Sequence, residues 1–258
     1  MPFAPLSLRA AGALALAAAA LAQSDTDCGN ATQPLSSTRP NVLLIGDSIS
    51  MVPPFTPGGY GGILHTLLDQ AGIEAQHAGG FFGGGQCSNT VKGLLCTLPS
   101  TPNNYLNISG GGRFDLCHAN WGLHDLVAAC PKGGSGECLE HVDIPQYGAN
   151  LATLYGRLKT VCDKVMWVST TPVPNVTTSM GRTYELAVAY NAQALKSLTA
   201  AALPDKLLVD DLWQAFIGKC GAYYKSCDLQ LPANVHLTPA GEQFAAETAL
   251  AAIKAALA

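Results

Sequence analysis

The stretch NVLLIGDS, residues 41–48, decides the fold that the sequence predicts. Its first part, Asn41 to Ile45, is a continuous apolar run of strand length, typical of a parallel sheet that is covered on both faces. The polar Gly46-Asp47-Ser48 follows directly. Ligands of open α/β sheets bind at the carboxyl ends of the strands, so we expect a functional site to begin at Ser48.

Outward from this stretch, strand-like runs alternate with helical patterns over the rest of the chain. Such alternation predicts an α/β fold with a five-stranded parallel sheet. The last helix has Thr238 as a predicted N-cap and Pro239 at its first position. The further predicted strands are Ile73–Ala78, Phe114–Trp121, Lys164–Thr170 and Lys206–Val209, and the predicted helices are Tyr60–Ala71, Pro145–Cys162, Thr183–Ala202 and Thr238–Leu257.

Composition limits the class of protein. The chain has 258 residues, of which 48% are hydrophobic and 12% charged, so it is unlike a disordered protein. The net charge is −4 and the basic residues form no cluster, which disfavours nucleic-acid binding. We see no linker or internal repeat and predict one domain over residues 41–258, acting as a monomer.

The amino-terminal segment predicts secretion. Residues 1–22 combine one Arg, a short Ala-rich apolar run and the cleavage-like Ala20-Leu21-Ala22, which is typical of a signal peptide. A polar leader is expected at residues 23–40. Three N-x-S/T sequons, at Asn30, Asn107 and Asn175, predict a glycoprotein. No other segment is long and apolar enough to span a bilayer, so we expect no stable membrane insertion.

Nine cysteines indicate an oxidising compartment. Spacing favours three close pairs and leaves three further cysteines, of which one must stay a thiol. There is no C-x-x-C and the histidines are scattered, so we expect no metal site. The close pairs are Cys87–Cys96, Cys130–Cys138 and Cys220–Cys227, and the remaining cysteines are Cys28, Cys117 and Cys162.

Three polar groups carry the predicted chemistry. Ser48 ends the first strand, and a serine nucleophile needs a base such as His236, which directly precedes the last helix. The segment Gly122-Leu123-His124-Asp125 follows the third strand. Each group alone has a structural explanation: Asp47 or Ser48 as a helix cap, His236 as a surface residue and Asp125 in turn chemistry.

Together these groups resemble the SGNH hydrolases, also called the GDSL esterase/lipase family, from Asn41 to about Leu250. The segments TTPVPN (170–175) and VHLTPAGEQFAA (235–246) add to the resemblance. It implies a three-layer, flavodoxin-like α/β/α sandwich and Ser–His catalysis without a cofactor. Members are esterases and lipases, and many deacetylate carbohydrates.

The resemblance also implies roles. Ser48 would be the nucleophile and an oxyanion donor through its own N–H, and His236 the general base. A second oxyanion N–H would come from Ser88, with Gly85 as the alternative. Apart from the resemblance, Arg182 and Tyr190-Asn191 are candidates to line the pocket after Pro174.

In the family's Gly-x-Asn-Asp motif this chain has His124 instead of Asn. Its neutral ring can donate a hydrogen bond to the oxyanion, and Asn120 is another candidate donor. Asp47 and Asp125 would support the site.

The larger departure concerns the family's Asp-x-x-His motif, in which the Asp orients the base. Ala233 stands at the acidic position and the neutral Asn234 two residues before His236. A backbone carbonyl, Asp228 or Asp211 could take that role instead. The pattern predicts that Ala233→Asp raises kcat.

The sequence therefore predicts a secreted serine esterase that hydrolyses short-chain O-acyl esters, including carbohydrate O-acetyl groups. Its partner is a small-molecule or polysaccharide ester. The missing acid favours an alternative, a catalytically weak extracellular binding or cell-wall protein on the same fold. An acyltransferase would need the same residues.

Overall fold

A central parallel sheet organises the chain, as seen in a computed structural model. The structure describes residues 28, 34–50, 59–78, 89–101, 104–127, 141–176 and 178–258. Within these ranges the sheet has five strands in the order β2-β1-β3-β4-β5. The strands are β1 (Asn41–Ile45), β2 (Glu74–His77), β3 (Phe114–Ala119), β4 (Cys162–Val168) and β5 (Leu208–Asp210).

This strand order is that of the flavodoxin-like doubly wound fold. All four neighbouring pairs are parallel, with Val42 opposite both Ala75 and Leu116. All five residues of β1 are buried, which explains why this strand is apolar without alternation. The predicted α/β class and the five-stranded parallel sheet are confirmed.

Helices cover both faces of the sheet. On one face, α2 and α4 both pack against α3; on the other, α1 and α5 both pack against α6. Thr238 caps α6 by accepting from the Gly241 N–H at 3.2 Å, as predicted. The helices are α1 (Gly61–Gln70), α2 (Thr90–Cys96), α3 (Ile144–Leu158), α4 (Tyr184–Ala202), α5 (Leu212–Cys220) and α6 (Pro239–Leu257).

The sequence-based boundaries needed correction around Cys162. Helix α3 ends at Leu158 rather than at Cys162, and β4 begins at Cys162 and ends at Val168. The turn at residues 159–161 separates the two elements. Two short helices, α2 and α5, were not predicted at all.

The disulfides also differ from the prediction. Cys96 is bonded to Cys28, so the predicted Cys87–Cys96 pair is wrong. Cys117 is bonded to Cys162, and the predicted Cys220–Cys227 pair is confirmed. Cys87, Cys130 and Cys138 lie outside the described residues, as do the predicted signal peptide and most of the polar leader.

Candidate active site

A tight turn positions Ser48 at the carboxyl end of β1. The 3₁₀ turn Ser48–Ser50 is capped by Asp47, whose Oδ1 accepts from the Ile49 N–H at 2.9 Å. A Cβ at position 46 would lie 1.9 Å from the Ser50 Oγ, so any larger residue there would force the Ser50 side chain to move. Ser48 itself is 8% exposed. The capping role that the sequence allowed for Asp47 is therefore the one it has.

A loop next to α6 brings His236 to this turn. The loop is closed by backbone hydrogen bonds from Leu231 N to His236 O at 2.9 Å and from Thr238 N to Leu229 O at 3.1 Å. His236 Nε2 lies 2.9 Å from Ser48 Oγ, although 188 residues separate the two in sequence. The structure thus brings the predicted nucleophile and base into hydrogen-bond contact.

The other ring nitrogen of His236 contacts Asn234. Its Nδ1 lies 2.9 Å from Asn234 Oδ1, which also accepts from the His236 backbone N–H at 3.1 Å. Asp211 instead caps α5 by accepting from Gln214 N. Among the described residues, no carboxylate lies within ion-pair distance of His236. Asp228, the other predicted candidate, is therefore not its partner.

Two buried charged side chains affect the imidazole. Burial lowers the pKa of His236; the negative charge of Asp47 opposes this shift, and the positive charge of Arg182 adds to it. Burial also raises the pKa of Asp47, against the Ile49 N–H and the charges of Arg182 and His236. The Arg182 Nε donates to the Leu123 carbonyl at 2.9 Å. The site therefore favours a neutral imidazole, the form that accepts a proton.

The segment after β3 lies beside the Ser48 turn. Asn120 donates from Nδ2 to the Val168 carbonyl at 2.9 Å, and its backbone N–H donates to the Ile45 carbonyl. Gly122 has φ 147°, a conformation that residues with a Cβ rarely adopt, and a Cβ there would lie 2.2 Å from Thr170 Oγ1, so this position favours glycine. His124 follows, half-buried. The oxyanion roles of Asn120 and His124 stay predictions.

The predicted second oxyanion donors, Ser88 and Gly85, lie outside the described residues. The chain resumes at Asn89, which caps α2 by accepting from Lys92 N at 3.0 Å.

Asp125 links this segment to α2. Its Oδ1 accepts from both the N–H and the Oγ1 of Thr90, at 2.8 and 2.6 Å. Asn150 donates to the same Thr90 Oγ1 at 2.9 Å. Asp125 is fully buried, and burial raises its pKa to about 7. It therefore fixes the start of α2 rather than its own turn.

Sequence reasoning missed the contact of Asn234 with His236 and the electrostatic effect of Arg182 on the same ring. A signal for Asn234 does exist in the sequence, because an Asn side chain often accepts from the backbone N–H two residues further on, which forms an Asx turn. Arg182 was named only as a pocket candidate. Of the neighbouring candidates, Asn191 makes two hydrogen bonds of 2.9 Å with the backbone of Thr170.

Comparisons with known proteins extend the fold assignment. No family model and no curated protein sequence matches the chain. Similar solved structures include an acetylxylan esterase from Geobacillus stearothermophilus, with 17% identity, TM-score 0.60, and coverage of 84% of this chain and 96% of that one. Another is an acetyl xylan esterase, AlAXEase, with 15% identity, TM-score 0.58 and coverage of 83% and 99%. A third is LAE5, an alpha/beta hydrolase enzyme from the metagenome of Lake Arreo, with 18% identity, TM-score 0.58 and coverage of 85% and 96%. At this identity the likeness shows a shared fold over most of both chains.

No group of three or more His, Cys, Asp and Glu side chains among the described residues is placed to hold a metal ion. In the same residues, no helix has the length and apolar character needed to cross a membrane.

Proposed function

We propose that this protein is a secreted serine esterase of the SGNH type that hydrolyses short-chain O-acyl esters. The observation that carries the proposal is the 2.9 Å contact between Ser48 Oγ and His236 Nε2 at the carboxyl edge of the sheet. A hydroxyl held against an imidazole is the arrangement that nucleophilic acyl transfer needs. The lowered pKa of His236 supports it, since a general base must be neutral to work.

In the proposed mechanism Ser48 Oγ attacks the ester carbonyl while His236 Nε2 takes its proton. The tetrahedral oxyanion accepts from the Ser48 N–H and from donors of the neighbouring loops. His236 then protonates the leaving alkoxide, and an acyl–Ser48 ester forms. Water, deprotonated by His236, attacks this ester and releases the carboxylic acid and Ser48.

The proposed substrate is an O-acetyl group, with a carbohydrate as the alcohol part. Support comes from fold neighbours described as acetyl xylan esterases.

Secretion is supported by the disulfides and by the exposure of two predicted glycosylation sites. Three disulfides lie within the described residues. Two of the predicted glycosylation sites, Asn107 and Asn175, are exposed. Disulfides persist in oxidising compartments, which agrees with the predicted signal peptide at residues 1–22.

The test is hydrolysis of p-nitrophenyl esters of short and long acyl chains, beside release of acetate from acetylated xylan. We expect turnover of the short esters by the wild type and its loss in Ser48→Ala. Ser50→Ala is a matched control, because it removes a hydroxyl from the same turn, and that hydroxyl donates to the Asp47 carbonyl at 3.1 Å and to nothing else among the described residues. It should retain most of the activity.

The outcomes separate the alternatives. Equal turnover by Ser48→Ala and wild type would remove Ser48 from its role. No turnover by the wild type, together with binding of the polysaccharide, would favour the non-catalytic binding protein. Acyl transfer to added alcohols in preference to water would identify an acyltransferase.

A further inference from the structure

We infer that Asn234 is the positioning residue of this site: its amide oxygen fixes the orientation and tautomer of His236 in place of the missing acid. The inference rests on the proposed roles of Ser48 and His236. It assigns a neutral side chain, two residues before the base, to the role that an Asp three residues before it would have in the family.

The tautomer follows from the hydrogen-bond partners. The His236 backbone N–H can only donate, so the Asn234 atom that faces it at 3.1 Å must be the oxygen. The same oxygen faces His236 Nδ1 at 2.9 Å, so Nδ1 must carry the ring proton. Nε2 then presents its lone pair to Ser48 Oγ at 2.9 Å, as a general base requires.

The backbone holds the amide in this orientation. A bond from the Asn oxygen to the N–H two residues on is an Asx turn, which fixes the side chain without a distant partner. Asn234 N donates to the Leu231 carbonyl at 3.1 Å, and the Gln230 side chain holds the Val235 carbonyl at 3.3 Å. The turn is therefore ordered before substrate binds.

This arrangement removes the usual objection to an amide beside the base. In serine proteases, Asp→Asn in the triad produces the wrong tautomer and lowers turnover by about 10⁴. A free amide can turn its NH₂ group towards the ring. In this chain that rotation would break the bond to the His236 backbone N–H and place two donors face to face.

An amide orients the ring but adds no negative charge to stabilise the imidazolium. The charged groups acting on His236 are Asp47, which favours the protonated ring, and Arg182, which disfavours it. Asn234→Asp should keep both hydrogen bonds and add a charge at the same distance. It should therefore shift the acid limb of the pH profile to higher pH by about one unit.

The first test compares variants in the full-length protein on a short acetyl ester. Asn234→Ala should lower kcat about tenfold with little change in KM, since a neutral, exposed hydrogen bond is lost. Asn234→Asp should restore or exceed wild-type kcat. Ala233→Asp should raise kcat less than Asn234→Asp does, because His236 Nδ1 already has its acceptor in Asn234. Asp228→Asn is the matched control and should leave kcat unchanged.

The second test reads the tautomer without any activity. Long-range ¹H–¹⁵N spectra of the ring should show the Nδ1–H form in wild type and Asn234→Asp. They should show a larger share of the Nε2–H form in Asn234→Ala. Because these spectra need no turnover, they remain decisive if Ser48 proves not to be a nucleophile.

Two results would overturn the inference. One is an Nε2–H ring in the wild type. The other is wild-type kcat, pH profile and tautomer in Asn234→Ala. A fall in kcat in Asp228→Asn to the level of Asn234→Ala would instead assign the role to that acid.

Discussion

The single residue His236 sets the pH range in which the site can work. Burial is the largest influence on its pKa and lowers it, and Arg182 lowers it further against the charge of Asp47. The base must be neutral, so the acid limb of kcat/KM should lie below the ordinary His pKa of about 6.5.

The measurement is kcat/KM for a short acetyl ester across the range from acid to neutral pH. His124→Asn provides the control: whatever it does to the rate, the limb should stay in place. An acid limb at or above about 6.5 would contradict the burial argument. A limb that vanishes in the control would mean that His124 set it.

At the scale of elements, Asp125 ties the turn after β3 to the start of α2. Its carboxyl is fully buried, and its Oδ2 has no hydrogen-bond partner among the described residues. Burial therefore raises its pKa to about 7 from the unfolded value of 3.8. Over that interval the folded state binds more protons than the unfolded chain, so this group's contribution to stability is greatest below 3.8 and is lost as pH rises to about 7.

Asp125→Asn should remove this dependence. The Asn oxygen can still accept both bonds from Thr90, and no charge has to be buried at neutral pH. Relative to wild type, its free energy of unfolding should rise with pH by at most about 1.4 kcal/mol per pH unit between roughly pH 4 and 7. Denaturant titrations of both proteins at several pH values measure it; a difference that falls with pH would show that the ionised carboxylate is the favoured form.

The elements also show what a sequence can predict. The five strands and the helices α1, α3, α4 and α6 were predicted, because long apolar runs and helical periodicity are local signals. The helices α2 and α5, of seven and nine residues, were missed. Helices this short depend on tertiary packing, as when Asp125 binds the first turn of α2.

The active site, too, has a part that the sequence predicts and a part that it does not. Ser48 and His236 were predicted because strand ends and helix starts place them at one edge of the sheet. The contact of Asn234 was not predicted, because Ala233 adopts φ 51°, a left-handed conformation that alanine rarely adopts. That backbone bend gives the neutral residue at position 234 the contact with His236 that the acidic motif would give to position 233.

In the whole molecule, the Cys28–Cys96 disulfide joins the amino-terminal segment to the end of α2 across a separation of 68 residues. The Cys220–Cys227 bond spans only 7. A cross-link stabilises mainly by limiting the unfolded chain, and the benefit grows with the logarithm of the loop length. From the ratio of the two loop lengths, we expect the Cys28–Cys96 bond to contribute about 2 kcal/mol more to the free energy of unfolding than the Cys220–Cys227 bond.

Two double variants test this prediction: Cys28→Ala with Cys96→Ala, and Cys220→Ala with Cys227→Ala. The first variant should lose about 4 kcal/mol of its free energy of unfolding and the second clearly less. Denaturant unfolding at neutral pH measures both losses. Cys28 and Cys96 are also the more buried pair, at 4% and 0% exposed, so lost packing acts in the same direction. A larger loss in the Cys220–Cys227 variant would therefore contradict both the loop-length argument and the assignment of Cys28 as the partner of Cys96.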